Sequence, residues 1–82
     1  MATTKQIRAI IEKHKFQVYA TNKTKGHTGP DRRIKMYSHG TPELIQELQQ
    51  VAGPENVKVL DWTEKYGPYF TNKSIVVKCV IA

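Results

Sequence analysis

The sequence predicts an α+β domain, a two-layer sandwich in which two helices cover one face of a four-stranded, mainly antiparallel sheet. Two segments carry apolar residues at helical spacing, four short segments alternate apolar and polar residues as strands do, and the two halves of the chain resemble each other. The 82 residues are enough for one compact domain. We therefore expect a single domain over residues 1–82, with its elements in the order αββαββ.

The similarity between the halves predicts two αββ pseudo-repeats. Residues 16–26, FQVYATNKTKG, align with residues 57–67, VKVLDWTEKYG, and both segments end in glycine. At the same offset, residues 31–36, DRRIKM, align with residues 72–77, NKSIVV. Few positions are identical, so a chance similarity is the alternative to a duplication. A duplication would give each half one helix and one β-hairpin.

A first helix is predicted near the start of the chain. Thr3 or Thr4 can cap its first turn, because a threonine hydroxyl accepts a hydrogen bond from an otherwise unpaired backbone N–H group. The residues that recur at helical spacing, and thus share one face, are Ile7, Ile10, Ile11 and His14. We expect this face to pack on the sheet while the charged face contacts solvent.

A second helix is predicted over residues 42–52. Thr41 stands at the capping position, Pro42 suits the first helical turn because its φ is fixed, and Gly53 marks the end. The apolar face between these signals consists of Leu44, Ile45, Leu48, Val51 and Ala52.

Four strands follow from the alternation of side chains, which point in turn to opposite faces of a sheet. The residues expected to face the helices are Phe16, Val18 and Ala20 in the first strand, Ile34 and Met36 in the second, Val57 and Val59 in the third, and Ile75, Val77, Cys79 and Ile81 in the fourth. The residues expected on the opposite face are Gln17, Tyr19, Thr21, Arg33, Lys35, Tyr37, Lys58, Leu60, Trp62, Val76, Lys78 and Val80. That second face would expose aromatic rings among cations.

The net charge of +6 is unevenly distributed along the chain. Residues 1–40 hold nine lysines and arginines against two acidic residues, a balance of +7, whereas residues 41–82 hold four against five, a balance of −1. A basic αββ half joined to a near-neutral αββ half indicates a polyanionic partner, either nucleic acid or an acidic protein or ribonucleoprotein surface.

The leading hypothesis is a small, basic, non-catalytic protein that binds DNA or RNA through a β-hairpin in its first half and through the exposed sheet face. Side chains that can contact phosphate or an acidic partner are Lys23, Lys25, His27, Arg32, Arg33 and Lys35, and rings on which bases could stack are Tyr19 and Tyr37. Arg32 and Arg33 are adjacent, so on a strand only one of them can share the face of Lys35.

A second hypothesis is a protein-binding inhibitor or adaptor, of the kind that phages and mobile elements use against host defence or other nucleic-acid machinery. Its interface would be the apolar strip formed by Leu60, Trp62, Val76 and Val80. An exposed strip of this size in a small protein usually indicates a partner. A homodimer whose sheets pack face to face is the third alternative.

No residue set specifies a reaction, so we expect no enzymatic activity, no cofactor and no metal. The histidines lack the spacing of metal ligands, and GHTGP lacks the Gly-Lys-Ser/Thr ending of a nucleotide-binding loop. The single cysteine, Cys79, lies in an apolar run and has no partner for an intramolecular disulfide, which fits a reducing, cytoplasmic location. No window approaches the ~20 apolar residues of a membrane span, so we expect no membrane association.

Overall fold

The computed structural model describes residues 2–23, 31–61, 63, 67–69 and 72–81. In this part of the chain, helix α1 spans Thr4–Lys13, helix α2 spans Pro42–Ala52, and a short 3-10 helix spans Pro54–Asn56. The strands are β1 (Ala20–Lys23), β2 (Asp31–Met36), β3 (Val57–Asp61) and β4 (Lys73–Val80). Two helices with a four-stranded antiparallel sheet confirm the predicted α+β class.

The strands are arranged in the order β1-β2-β4-β3, and every neighbouring pair is antiparallel. Strands β2 and β4 therefore lie at the centre, where Asp31 pairs with Val80 and Met36 pairs with Ile75. The start of the chain joins the same sheet, because the Val80 N–H donates a hydrogen bond to the Ala2 carbonyl at 2.9 Å. Strands β1 and β3 form the two edges.

The core lies between the helices and one face of the sheet. Both helices contact this face, and they also contact each other. The fully buried large side chains from the helices are Ile7, Ile11, Leu44 and Leu48, and those from the sheet are Ile34, Met36, Ile75, Val77 and Cys79. The prediction that Ile34, Met36, Ile75, Val77 and Cys79 face the helices is therefore confirmed.

Both helices begin at threonine caps. The Thr3 side chain accepts a hydrogen bond from the Gln6 N–H, while the Gln6 side chain accepts one from the Thr3 N–H, which completes a capping box. Thr41 caps α2 through the Leu44 N–H at 3.2 Å. The helices have 10 and 11 residues, and no helix in the described part of the chain is long and apolar enough to cross a membrane.

The predicted faces of the first strand are wrong at two positions. Thr21 pairs with the buried Ile34 and lies on the helix side, where it accepts a hydrogen bond from Arg8 Nη2 at 3.0 Å, whereas Ala20 pairs with Lys35 on the opposite side. The Tyr19 N–H also donates to the Lys35 carbonyl at 2.8 Å, so two consecutive residues lie opposite one. This is the arrangement of a β-bulge, which shifts the alternation by one residue.

Three residues expected on apolar, core-facing positions are exposed, and the first is Val51 of α2, at 40%. Val59 pairs with Ile75 on the helix side but keeps 43% of its surface exposed, because β3 is an edge strand among the described residues. Ile81 follows the end of β4 and is 50% exposed. The core is therefore concentrated on the two central strands.

Candidate nucleic-acid interface

The side of the sheet away from the helices carries a cluster of cations. We call this side the outer face and define it by Arg33 and Lys35 of β2 and by Val76 and Lys78 of β4, which point away from the buried residues between them. Neither α-helix packs on the outer face, because α1 and α2 both cover the opposite side.

Strand pairing brings a fourth cation, Lys58 of β3, beside these three. Arg33 lies opposite Lys78, while Lys35 lies opposite Val76, which in turn lies opposite Lys58 of β3. Neighbouring strands are ~4.8 Å apart, so the four charges occupy three adjacent strands over about 10 Å. We call Arg33, Lys35, Lys58 and Lys78 the cationic patch. Like charges so close together are held by the fold and favour a bound anion.

A shallow depression lies within the cationic patch. Its volume is about 560 Å³, and it is lined by Arg33, Lys58, Lys78, Leu60, Val76, Asn56 and Glu55. Two of the lining side chains, Leu60 and Val76, are apolar, and we call them the apolar floor; Glu55 adds one carboxylate. Such a surface suits a ligand that combines negative charges with flat organic groups, because the first meet the cations and the second cover the apolar floor.

An exposed pair of aromatic rings borders the cationic patch. The ring centroids of Tyr19 and Tyr37 are 4.1 Å apart, with an angle of 33° between the ring planes. Lys35 Nζ lies 4.9 Å from the centroid of the Tyr37 ring, within cation–π range. Tyr19 and Tyr37 are 64% and 55% exposed, although burial would stabilise such large rings. We call these two residues the tyrosine pair.

A second depression, of about 380 Å³, lies beside the tyrosine pair. It is lined by Lys15, Phe16, Gln17, Val18, Tyr19, Met36, Tyr37 and Ser38. Lys15 adds a positive charge at this end of the molecule, in a backbone conformation with φ of 67°. Lys15 and Lys35 therefore both lie near the exposed rings.

The structure separates the two adjacent arginines predicted to bind an anion. Arg33 shares the outer face with Lys35, whereas Arg32 pairs with the buried Cys79 and donates a hydrogen bond from Nη1 to the Asp31 carbonyl at 2.8 Å. The other predicted hairpin residues, Lys25, His27 and the side chain of Lys23, lie outside the described residues, as does Trp62.

The predicted apolar strip lies on the same face as the cations. Leu60 is 37% exposed, and Val76 and Val80 are partly exposed. Leu60 and Val76 line the depression together with the cations, so the two predicted surfaces form one continuous surface. The same side chains can therefore serve either a nucleic acid or a protein partner.

Sequence reasoning placed Lys58 and Lys78 on the exposed face but did not include them among the binding residues. The alternation of these lysines with Val57 and Val77 predicts on which face of the sheet they lie. The local sequence does not predict the order of the strands in the sheet. Only the pairing of β2 with β4, and of β4 with β3, brings both lysines beside Arg33 and Lys35.

The remaining polar clusters lie elsewhere. Between the helices, Glu47 contacts both Lys13 and His14. These hydrogen bonds lower the pKa of the Glu47 carboxyl, and the one from Lys13 has the larger effect. Burial raises the pKa of the Cys79 thiol, which makes it a poor nucleophile. Among the described residues, no group of three or more histidine, cysteine or acidic side chains could hold a metal ion.

Comparison of the chain with protein-family models, with curated proteins and with solved structures gives no match. The function is therefore inferred from the outer face itself.

Proposed function

We propose that this chain is a small, non-catalytic nucleic-acid-binding protein whose binding surface is the outer face of the sheet. The observation that carries the proposal is the cationic patch, in which Arg33, Lys35, Lys58 and Lys78 meet on one face beside the exposed tyrosine pair. The basic hairpin residues Lys25 and His27 would extend this surface. Arg32, which pairs with the buried Cys79 on the helix side, is not part of this surface. The partner is either DNA or RNA, and no cofactor takes part.

The physical basis is the exchange of counterions for protein cations. A nucleic acid carries a dense row of phosphates with condensed cations, and lysine or arginine side chains that replace those cations release them into solution. Four cations on three neighbouring strands can contact several consecutive phosphates at once. Arg33, Lys35 and Lys78 lie on the central strands and Lys58 on the paired edge strand β3, so little backbone has to be ordered on binding.

The proposal is tested by fluorescence anisotropy with labelled DNA and RNA oligonucleotides over a salt series. Wild-type protein should bind with a logarithm of affinity that falls linearly with the logarithm of salt concentration. The variant Lys58→Gln/Lys78→Gln should bind more weakly, with a slope reduced by about 1.4 to 1.8 for two lost contacts.

The matched control is Lys5→Gln/Lys73→Gln, which also removes two charges. Both residues are exposed, but Lys5 lies on α1 and Lys73 at the start of β4 on the helix side. Equal slopes for the two double variants would show that only net charge matters, and no binding by wild-type protein would overturn the proposal.

A second candidate function is a protein-binding inhibitor or adaptor, and the apolar floor of the depression favours it. Leu60 and Val76 are partly exposed beside the cations, as expected for a surface that docks on an acidic protein or ribonucleoprotein. Capture from lysate with and without nuclease treatment distinguishes the two functions. A partner held through nucleic acid is lost on treatment, and a directly bound protein is retained.

We also propose that the two αββ units arose by duplication. The sheet order supports this, because the second strand of each hairpin lies at the centre and the first strand of each lies at an edge. The two hairpins thus meet through equivalent strands, as expected for two similar units packed around an approximate twofold axis.

A further inference from the structure

We infer that the outer face binds single-stranded rather than double-stranded nucleic acid, with a base on the tyrosine pair and the phosphates along the cationic patch. The inference rests on the proposed function and adds the class of ligand. The bound nucleic acid would run from Tyr19 and Tyr37, at the side of β1 and β2, across β4 to Lys58 and Leu60 on β3.

The tyrosine pair is the first reason. Its rings are more than half exposed and contact each other, so one ring face on the outside of the pair can receive a further flat group. Lys35 Nζ lies over the Tyr37 ring, 4.9 Å from its centroid, so the base would stack on the more exposed Tyr19 ring with its phosphate near Lys35. Only a base that is neither paired nor stacked on neighbouring bases can stack on a tyrosine ring. A single strand offers such bases and a duplex does not.

The apolar floor is the second reason. Val76 lies between Lys35 and Lys58, and Val76 and Leu60 line the same depression as Arg33, Lys58 and Lys78. A duplex presents its sugar–phosphate backbone to a flat surface and keeps the faces of its bases inside. Binding of a duplex would therefore cover Leu60 and Val76 with polar groups instead of apolar ones. Unpaired bases can cover them, because every base has an apolar face.

The shape of the outer face is the third reason. Sequence readout in a duplex needs an element that enters a groove, such as a helix or a two-stranded ribbon. In the described part of the chain, both α-helices pack on the opposite face, and the cations lie on the flat of the sheet. An extended single strand can lie across such a surface and contact several strands in turn.

The test compares one labelled oligonucleotide of about 12 mixed-sequence residues, alone and annealed to its complement, by fluorescence anisotropy. We expect the single strand to bind at least about tenfold more tightly than the duplex, with a salt slope of about 2.8 for four phosphates. The comparison uses wild-type protein and needs no substitution, so misfolding cannot affect it.

The tyrosine pair is then tested with Tyr19→Leu/Tyr37→Leu against Tyr19→Phe/Tyr37→Phe. The leucine variant should bind the single strand about tenfold more weakly and the duplex as before, whereas the phenylalanine variant should bind like wild type, because it keeps both rings. Circular dichroism melting of each variant confirms that it is folded.

The outcomes separate this inference from the proposed function. Duplex binding as tight as single-strand binding, with a salt slope that depends on Lys58 and Lys78 but not on the tyrosines, overturns the inference and leaves the proposed function standing. Failure to bind either form at low salt overturns both. Single-strand preference that is lost in the leucine variant alone supports the inference.

Discussion

His14 Nε2 lies 3.0 Å from Glu47 Oε1, so a side chain at the end of α1 meets the middle of α2. The other oxygen of the same carboxylate accepts a hydrogen bond from Lys13 Nζ at 2.5 Å. One carboxylate of α2 thus joins two consecutive residues of α1, and it does so on the layer opposite the cationic patch. This cluster can be altered without changing the proposed binding surface.

The contact between the helices predicts a loss of stability in acid. The pKa of Glu47 is lowered from its ordinary value of 4.5, mainly by the hydrogen bond from Lys13 and next by that from His14. A group whose pKa is lower in the folded state stabilises the fold above its unfolded pKa, and this contribution is lost as pH falls through the folded value. Stability should therefore decrease more below about pH 4.5 in wild type than in Glu47→Gln.

Melting temperatures between about pH 3 and pH 6 measure this difference. Glu12→Gln, which removes an exposed carboxylate of α1, is the control and should keep the wild-type dependence on pH. Parallel acid losses in wild type and Glu47→Gln would contradict the prediction.

Ser74 should be replaceable by alanine with a gain in stability. Its side chain is 1% exposed, and its Oγ has no hydrogen-bond partner among the described residues. An unpaired buried hydroxyl costs about 1–3 kcal/mol, so Ser74→Ala should raise the free energy of unfolding by about 1 kcal/mol in urea titration. Ser38→Ala should instead lower the free energy of unfolding, because the Ser38 Oγ accepts a hydrogen bond from the Gly40 N–H at 2.9 Å. Destabilisation by both changes would show that the Ser74 hydroxyl is paired.

Gly40 should tolerate no side chain. Its φ is +61°, and an added Cβ would lie 2.7 Å from Leu44 Cδ2 in the first turn of α2. Gly40→Ala should lower the free energy of unfolding by about 2 kcal/mol or more, from the backbone conformation and from displacement of a core leucine. Gly67→Ala is the matched change, since φ is +97° there but nothing described lies within 4 Å of the new Cβ. Equal losses would mean that Leu44 moves without cost.

Replacement of Lys15 by glycine should give a more stable protein than replacement by alanine. The Lys15 φ of 67° is unfavourable for a residue with a Cβ and follows the end of α1, where glycine is common. Glycine relieves that strain but also has more conformational freedom in the unfolded chain. The free energy of unfolding of Lys15→Gly should therefore exceed that of Lys15→Ala by roughly 0.5–1 kcal/mol. Both changes remove the same charge, so urea titration isolates the backbone effect. A more stable alanine variant would refute it.

Arg33 and Arg32 should differ in their effect on nucleic-acid binding. Arg33 lies on the outer face opposite Lys78, whereas Arg32 lies opposite the buried Cys79. Arg33→Gln should reduce the salt slope of binding by about 0.7 for a single strand, and Arg32→Gln should reduce it by less than half as much. Equal effects, measured by anisotropy in the same salt series, would place the binding surface at the hairpin rather than on the sheet.

Helix positions could be predicted because their signals are local. Thr41, Pro42 and Gly53 mark the ends of α2, and the structure has this helix over Pro42–Ala52 as predicted. The face of Thr21 could not be predicted, because the bulge opposite Lys35 is a matter of hydrogen bonding between strands. A sequence pattern of period two carries no sign of such an extra residue.

The candidate site was predictable in part for the same reason. Alternation placed Arg33, Lys35 and Tyr37 on one face, but the neighbours of that face depend on strand order. Lys78 and Lys58 are more than 20 residues from Arg33 in the sequence and join it only through long-range pairing. Long-range pairing reflects the packing of the whole domain, which local signals do not encode.

The pairing of β2 with β4 also determines how the molecule opens. This pair is the junction between the two hairpins, and each of its strands has a neighbour on its other side as well. Backbone amides paired across the junction can exchange their hydrogens with solvent only when the hairpins separate, which also exposes the core around Ile34 and Val77. Neither half keeps its core once the junction opens, so both halves unfold together, while β1 and β3 can fray alone.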